Sequence, residues 1–267
     1  MTTIKEMIKK AEADGYKDDN AEAKVCQDII LKALAESGMN RNTTIKGGVV
    51  MRSISHDSRR ATQDMDIDFI RYSLDDESIK HFIRKLDCLE GFSINQAGTI
   101  TELNQQDYRG KRVFVVISDE TGDSIESKID LGVHKNLSIE QQEYCFDIAS
   151  FDGSVNLLIN SKEQMFAEKL RSLLKFGQYS TRFKDVFDMC YLSDLLDVAK
   201  LMECMNILIF GDSLMREDSM GDVCRRISNT FKSTEYMRKL ATSKKNWLGM
   251  EATLVTQKLE AFLGTLD

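Results

Sequence analysis

Apolar residues recur at helical spacing through residues 20–37, where Val25, Ile29, Ile30 and Ala33 share a stripe that Gly38 ends. A short extended run at 43–46 meets Gly47-Gly48, and Val49 to Ser55 predicts a second helix. Residues 56–63 are polar and turn-like. The period then drops to two. A strand over 64–70 puts Asp64, Asp66 and Asp68 on one face and Met65, Ile67 and Phe69 on the other. A helix near 76–88 carries Ile79, Phe82, Ile83 and Leu86 on one side, and further strands fit around 92–95, 99–104, 112–118 and 124–133. In the last of these, Ile125, Ile129 and Leu131 oppose Glu126, Lys128 and Asp130, so Asp130 sits mid-strand on a polar face.

The pattern changes after about residue 150. Ser161-Lys162-Glu163-Gln164 has the form of a capping box and opens a long helix that ends near Gly177. Another helix starts at Thr181 or a neighbour and carries Asp185 and Asp188 three residues apart, and from 194 onward the apolar spacing stays helical. The expected fold class is α/β (α+β), with a mixed sheet and flanking helices over 1–150 and an all-helical domain over 151–267.

Composition narrows the function classes. The chain has 267 residues, 42% hydrophobic and 30% charged, with no run approaching the roughly 20 apolar residues of a membrane helix. Its start, Met1-Thr2-Thr3-Ile4-Lys5-Glu6, lacks the apolar core of a secretion signal. The six cysteines (Cys26, Cys88, Cys145, Cys190, Cys204 and Cys224) are scattered, which argues against zinc or disulfide scaffolds. They read as small buried hydrophobes in a reducing, cytoplasmic setting. A net charge of −7 excludes bulk electrostatic coating of nucleic acid, but residues 225–245 hold seven basic residues against Glu235 alone. That stretch is either a solvated helical face or an RNA-binding surface. With no proline anywhere, boundaries must be read from glycine and polar clusters.

Three carboxylates on one strand face repel one another, and a divalent cation relieves that repulsion. Magnesium takes oxygen ligands, commonly one or two carboxylates, with water and phosphate oxygens supplying the rest. Gly47 and Gly48 offer a place where main-chain N–H groups approach phosphate closely. Asp64 and Asp66 as metal ligands, Asp130 as a third ligand or general base, and Lys169 as a point charge on a triphosphate would together serve nucleotidyl transfer. Singly, each feature has a plainer reading: a solvated strand face, a tight turn, a surface lysine, or, for Asp185 and Asp188, acids favoured by a helix dipole.

The order Gly47-Gly48, Arg60-x-Thr62-x-Asp64-Met65-Asp66, Asp130 on a later strand, Glu168-Lys169-Leu170, then Arg182-Phe183-Lys184-Asp185-x-x-Asp188 resembles the AbiEii-type nucleotidyltransferase toxins, within the DNA polymerase β-like superfamily. The resemblance runs from about 40 to 195 and fades in the C-terminal helices. It implies a nucleotidyltransferase-fold sheet, a helical second domain and a Mg-NTP cleft. It places Gly47, Gly48, Arg60, Thr62 and Lys169 by the nucleotide, Asp64, Asp66 and Asp130 by the metal, and Lys169 and Asp185 in catalysis. Asp68 falls outside the motif, and Asp188 takes a structural part. Val49-Val50 stands where many relatives carry a small hydroxyl or alanine, so base and ribose contacts differ.

By resemblance the chain is expected to be the toxin half of a toxin–antitoxin pair linked to abortive phage infection, with a cognate antitoxin encoded nearby. Its expected substrates are an NTP and an RNA acceptor, the 3′ end of tRNA. Two other readings stand beside this one. The acceptor is instead a protein or a small molecule such as an aminoglycoside, or the chain is a non-catalytic nucleotide-binding module.

Overall fold

Met65, Ile67 and Phe69 are fully buried, and the strand that carries them lies at the centre of the only sheet among the described residues. The computed structural model describes residues 2–105 and 108–266. The backbone divides into two units, Met1–Asn160 and Ser161–Asp267. In chain order the first unit runs α1 (Ile4–Ala13), α2 (Asp19–Glu36), β1 (Thr43–Lys46), α3 (Gly47–Ser55), β2 (Asp64–Phe69) and α4 (Asp76–Leu86). It continues through β3 (Phe92–Gln105), β4 (Tyr108–Asp119), β5 (Ser124–Val133), β6 (Gln142–Ile148) and β7 (Gly153–Ile159). The seven strands stand in the order β3-β4-β5-β2-β1-β7-β6. The β2/β5 and β1/β7 pairs are parallel and the others antiparallel.

The compositional change near 150 falls within the β6/β7 hairpin, because β7 returns to pair with β1 and keeps residues 153–159 in the sheet. The two separate strands expected at 92–95 and 99–104 are one strand, β3, with a register shift between Ala97 and Thr101. Gly98 takes φ +64° at that irregularity. All six cysteines are free, and Cys26, Cys190 and Cys204 are buried as expected of small hydrophobes. Cys88 and Cys145 are exposed, correcting that reading: Cys88 follows the end of α4, and Cys145 lies on an outward position of the edge strand β6.

Helix α2 packs against β5, β6 and β7 and also against α1, so it is buried on more than one side. That burial encloses polar groups as well as Val25, Ile29, Ile30 and Leu34. Lys24 and Asp28 form an ion pair at 2.5 Å, and Ser150 Oγ donates to Asp28 Oδ2 at 2.8 Å. Burial pulls the Lys24 ammonium below its usual pKa in spite of Asp28.

In the second unit, α5 (Lys162–Phe176), α6 (Phe183–Leu192), α7 (Val198–Met205), α8 (Met220–Phe231), α9 (Thr234–Ala241) and α10 (Ala252–Gly264) make an all-helical body. Ser161, Asp197, Ser219 and Ser233 accept main-chain N–H groups at the starts of α5, α7, α8 and α9, so these helix starts are set by side-chain caps. At the start of α5, Ser161 Oγ accepts from the Gln164 main-chain N–H at 3.1 Å, and the Gln164 side-chain amide donates forward to Glu168 at 2.8 Å. Helix α10 packs on α6 and α8, and its Phe262 meets Phe166 of α5 edge-on at 5.5 Å. Among the described residues no helix is long and apolar enough to cross a membrane.

Removing one partner of a buried ion pair strands the other charge. Asp28→Ala is therefore expected to destabilise the first unit by about 3–5 kcal/mol in urea unfolding, and pairing it with Lys24→Met to recover most of that loss. A single variant within about 1 kcal/mol of the parent would show that Lys24 reaches solvent instead.

Candidate active site

Strand register assembles the site. Lys46 of β1 and Asp130 of β5 flank Asp66 on its two sides, and Arg112 of β4 lies opposite Asp130. One row across four strands therefore reads Lys46, Asp66, Asp130, Arg112: two carboxylates side by side with a cation at each end. One row over, Lys128 lies opposite Asp64, and its ammonium is 2.5 Å from that carboxylate.

The cations do not serve the acids equally. Arg112 grips Asp130 with both arms, Nε to Oδ1 at 2.7 Å and Nη2 to Oδ2 at 2.8 Å. Lys46 pairs with Asp68 at 2.7 Å. Asp66 is left with no hydrogen bond or ion pair among the described residues, and burial raises its carboxyl to a pKa of about 6. Lys46 opposes that rise, while Asp130, Asp64 and Asp68 add to it. In this arrangement no three acidic, histidine or cysteine side chains among the described residues converge as a ligand set. The Arg112 fork and the Lys128 ammonium hold the oxygens of Asp130 and Asp64. The donor chemistry nonetheless fits a hard divalent cation: clustered carboxylate oxygens with an unpaired Asp66 at their centre.

The glycine pair is packed against the acid strand. Gly47 has φ +67°, and a Cβ there would strike the Asp66 carboxylate. A Cβ on Gly48 would come within 2.5–2.7 Å of Thr62 Oγ1, Cβ and Cγ2. Both positions are closed to any side chain. Helix α3 starts at Gly47 with no side-chain cap on its first turn.

Thr62 is fixed from behind by residues that the motif spacing did not reveal. Gln27 of α2 donates Nε2 to the Thr62 carbonyl at 2.8 Å, and Arg52 of α3 donates Nη1 to Gln27 Oε1. Arg60, expected by the nucleotide, is buried at 3% exposure and lies close enough to Arg52 to depress its pKa further, after burial and against Asp28.

The remaining motif residues lie in the second unit. Lys169 of α5 pairs with Asp185 at 2.8 Å and with Asp188 at 2.9 Å, and Arg182 pairs with Asp185 at 2.5 Å. Asp188 is fully buried and also accepts from Trp247 Nε1 at 2.9 Å. Burial alone would raise the Asp185 carboxyl, but Lys169 and Arg182 outweigh it and hold the group below the usual range. In the basic stretch, Arg225 pairs with Asp222, Lys239 with Glu235, and Arg226 donates to the Leu174 carbonyl. Lys232, Arg238, Lys244 and Lys245 are exposed, and the first two line a groove of about 1000 Å³ together with Phe231, Met237 and Met250.

A mixed seven-stranded sheet with flanking helices, carrying acids beside a glycine-led helix, is the architecture of a nucleotidyltransferase, and the chain is an enzyme of that class. Within it, the chain belongs to the AbiEii family: the model of the nucleotidyl transferase AbiEii toxin of type IV toxin–antitoxin systems matches residues 29–250. That span takes in the acid strands, Lys169 and the basic stretch, and leaves α1 and α10 outside. No curated protein sequence matches the chain.

The raised Asp66 carboxyl sets a pH dependence. Between roughly pH 4 and 6 the folded protein keeps a proton that the unfolded chain has released, so stability falls as pH rises through that window. Asp66→Asn is expected to lack this fall, melting above the parent at pH 7–8 and converging with it near pH 4, which thermal unfolding across pH would show. A gap that does not change with pH would rule out the burial argument.

Lys169→Met strands two buried acids and is expected to cost about 3–5 kcal/mol of stability. The fluorescence of the single tryptophan, bonded to Asp188, reports the unfolding directly. A variant as stable as the parent would leave Lys169 with a ligand role alone.

Proposed function

We propose that this toxin transfers a nucleoside monophosphate from a magnesium-bound NTP to an RNA acceptor, the 3′ end of tRNA, and so stops translation and growth. The observation that carries the reading is the unpaired Asp66 carboxylate, set between Asp64 and Asp130 and against the glycine start of α3. Burial is the main cause of its raised pKa, and the neighbouring Asp130, Asp64 and Asp68 add to it. Asp64, Asp66 and Asp130 would hold the metal, which when bound neutralises phosphate oxygens as charge shifts toward the leaving group.

The chain's own residues account for the rest. The uncapped first turn of α3 offers main-chain donors to phosphate oxygens, and Gly47 and Gly48 keep that turn free of side chains. Thr62 shapes the turn, held by Gln27 and Arg52. Asp130 stands beside Asp66 where the acceptor hydroxyl is activated, its position fixed by the Arg112 fork. Lys169 and Asp185 take the parts that the family motif gives them, a cation for the triphosphate and an acid tuned by that cation. In the transfer, an acceptor hydroxyl oxygen bonds to the α-phosphorus, the bond from that phosphorus to the β-phosphate bridging oxygen breaks, and pyrophosphate leaves.

RNA as acceptor is supported by the exposed Lys232, Arg238, Lys244 and Lys245. The type IV family places an antitoxin beside the toxin, and we assign it to a neighbouring reading frame. The cytoplasm, where tRNA and NTP are found, is the compartment in which we place the reaction.

Each radiolabelled NTP, supplied with tRNA, with protein or with an aminoglycoside in separate reactions, identifies the acceptor. Label on tRNA with release of pyrophosphate is the expected result, and label on protein or antibiotic alone would replace the RNA assignment. Asp64→Ala and Asp66→Ala are each expected to lower transfer at least about a hundredfold and to relieve growth arrest. The Asp66→Ala melting temperature should not fall, because losing that carboxylate relieves repulsion, while Asp64→Ala also gives up the partly exposed Lys128 pair and should stay within about 1 kcal/mol of the parent. Full activity in either variant would remove the metal-site assignment.

A further inference from the structure

The most exposed aromatic rings among the described residues, Tyr179 at 81% and Phe176 at 46%, lie three positions apart at the end of α5. The backbone between them is fixed. Gly177 adopts φ +51° and ψ −133°, a state open to glycine almost alone, and Ser180 N donates to the Gly177 carbonyl at 3.0 Å to close the turn. Arg226 of α8 lies flat against that glycine. A Cβ on Gly177 would come within 3.0 Å of Arg226 Nη2 and 3.2 Å of its Cζ, and Arg226 Nε donates to the Leu174 carbonyl at 3.2 Å.

Lys175 adjoins Phe176, Arg182 follows Tyr179 by three residues, and Arg226 lies against the glycine between the rings. Lys175 Nζ stands 5.8 Å from the centre of the Phe176 ring. Arg182 leaves 56% of its side chain exposed while pairing with Asp185. In the helix that follows, Asp185 is neutralised by Lys169 and Arg182. The other large apolar side chains left exposed in this unit, Leu195, Val198, Leu214 and Leu254, are aliphatic and lie elsewhere in the sequence. Exposed rings with lysine and arginine close by match a ligand in which a flat π-system is joined to phosphate.

We propose that Phe176 and Tyr179 form a stacking platform for an unpaired nucleobase, with Lys175, Arg182 and Arg226 meeting the phosphates attached to it. The rigid turn displays the rings at little cost in ordering, and stacking tolerates any base because each has a π-face. The inference deepens the proposed reading of an RNA-modifying nucleotidyltransferase, and it rests on that reading for nucleic acid as the ligand. The base is that of the NTP or of the acceptor strand. The two sources share this chemistry and are separated by the ligand used.

The test measures binding rather than transfer, on the full chain. Fluorescence anisotropy with an end-labelled single-stranded RNA ten-mer and calorimetry with ATP are run for the parent, Phe176→Leu, Tyr179→Leu and Tyr179→Phe. The leucine variants keep apolar bulk without the π-face. They are expected to bind the oligonucleotide about tenfold more weakly, with Tyr179→Phe within about twofold of the parent. Loss confined to the oligonucleotide assigns the platform to the acceptor, and loss confined to ATP assigns it to the nucleotide. Because Tyr179 is so exposed, its variants should melt with the parent, which separates lost stacking from lost folding. Leucine variants that bind both ligands like the parent would overturn the platform. So would a Tyr179→Phe variant as weak as Tyr179→Leu, or a parent that binds neither ligand. A parent that binds RNA through these rings and yet transfers nothing leaves the platform standing and defeats the transfer reading alone.

Discussion

Like-charge repulsion between Asp66 and Asp130, side by side in the sheet with Lys46 and Arg112 at the ends of their row, is the constraint around which the first unit is arranged. Arg112 answers it for Asp130 with a two-armed grip, and Lys46 answers it for Asp68. Asp66 has no hydrogen-bond or ion-pair partner among the described residues. A fully neutralised cluster would be more stable. The first unit keeps the deficit, and its hydrophobic strand faces and the buried Lys24–Asp28 pair lie on the supporting elements around it.

The charge cluster of the second unit is built on the opposite principle. One ammonium serves two carboxylates, a guanidinium assists, and an indole N–H takes up another acceptor oxygen. Asp188 is sealed from solvent, and Asp185 is held ionised by the cations beside it. Such an arrangement fixes the start of α6 to the middle of α5. It also ties in Trp247, 59 residues further along the chain, so the helical unit is stapled through charge as well as through apolar packing.

Much of this was legible in the sequence because period and spacing are local. Alternation over 64–69 and 124–133 put Asp64, Asp66 and Asp130 on polar strand faces, and the glycine pair marked the start of α3. Features that depend on register were not legible. Nothing near Arg112 in the sequence says that it lies opposite Asp130, and Gln27 reaches Thr62 across 35 residues. The β6/β7 hairpin escaped notice although β6 carries Tyr144, Cys145, Phe146 and Ile148, of which only Phe146 and Ile148 are buried. Helix α1 did so although Ile4, Met7, Ile8 and Ala11 stand at helical spacing. The side-chain pairing of Lys169 was equally hidden, since the residue types that suggest a free cation for phosphate also suit a buried salt bridge.

The space beside Gly47 is filled by the carboxylate of Asp66, which a Cβ at that position would strike. The beginning of α3 and the central acid of β2 thus behave as a single gauge block, with their separation set by contact rather than by a flexible linker. Tolerance to sequence change should therefore be least at this glycine, where even one added methyl group would pry the two halves of the gauge apart.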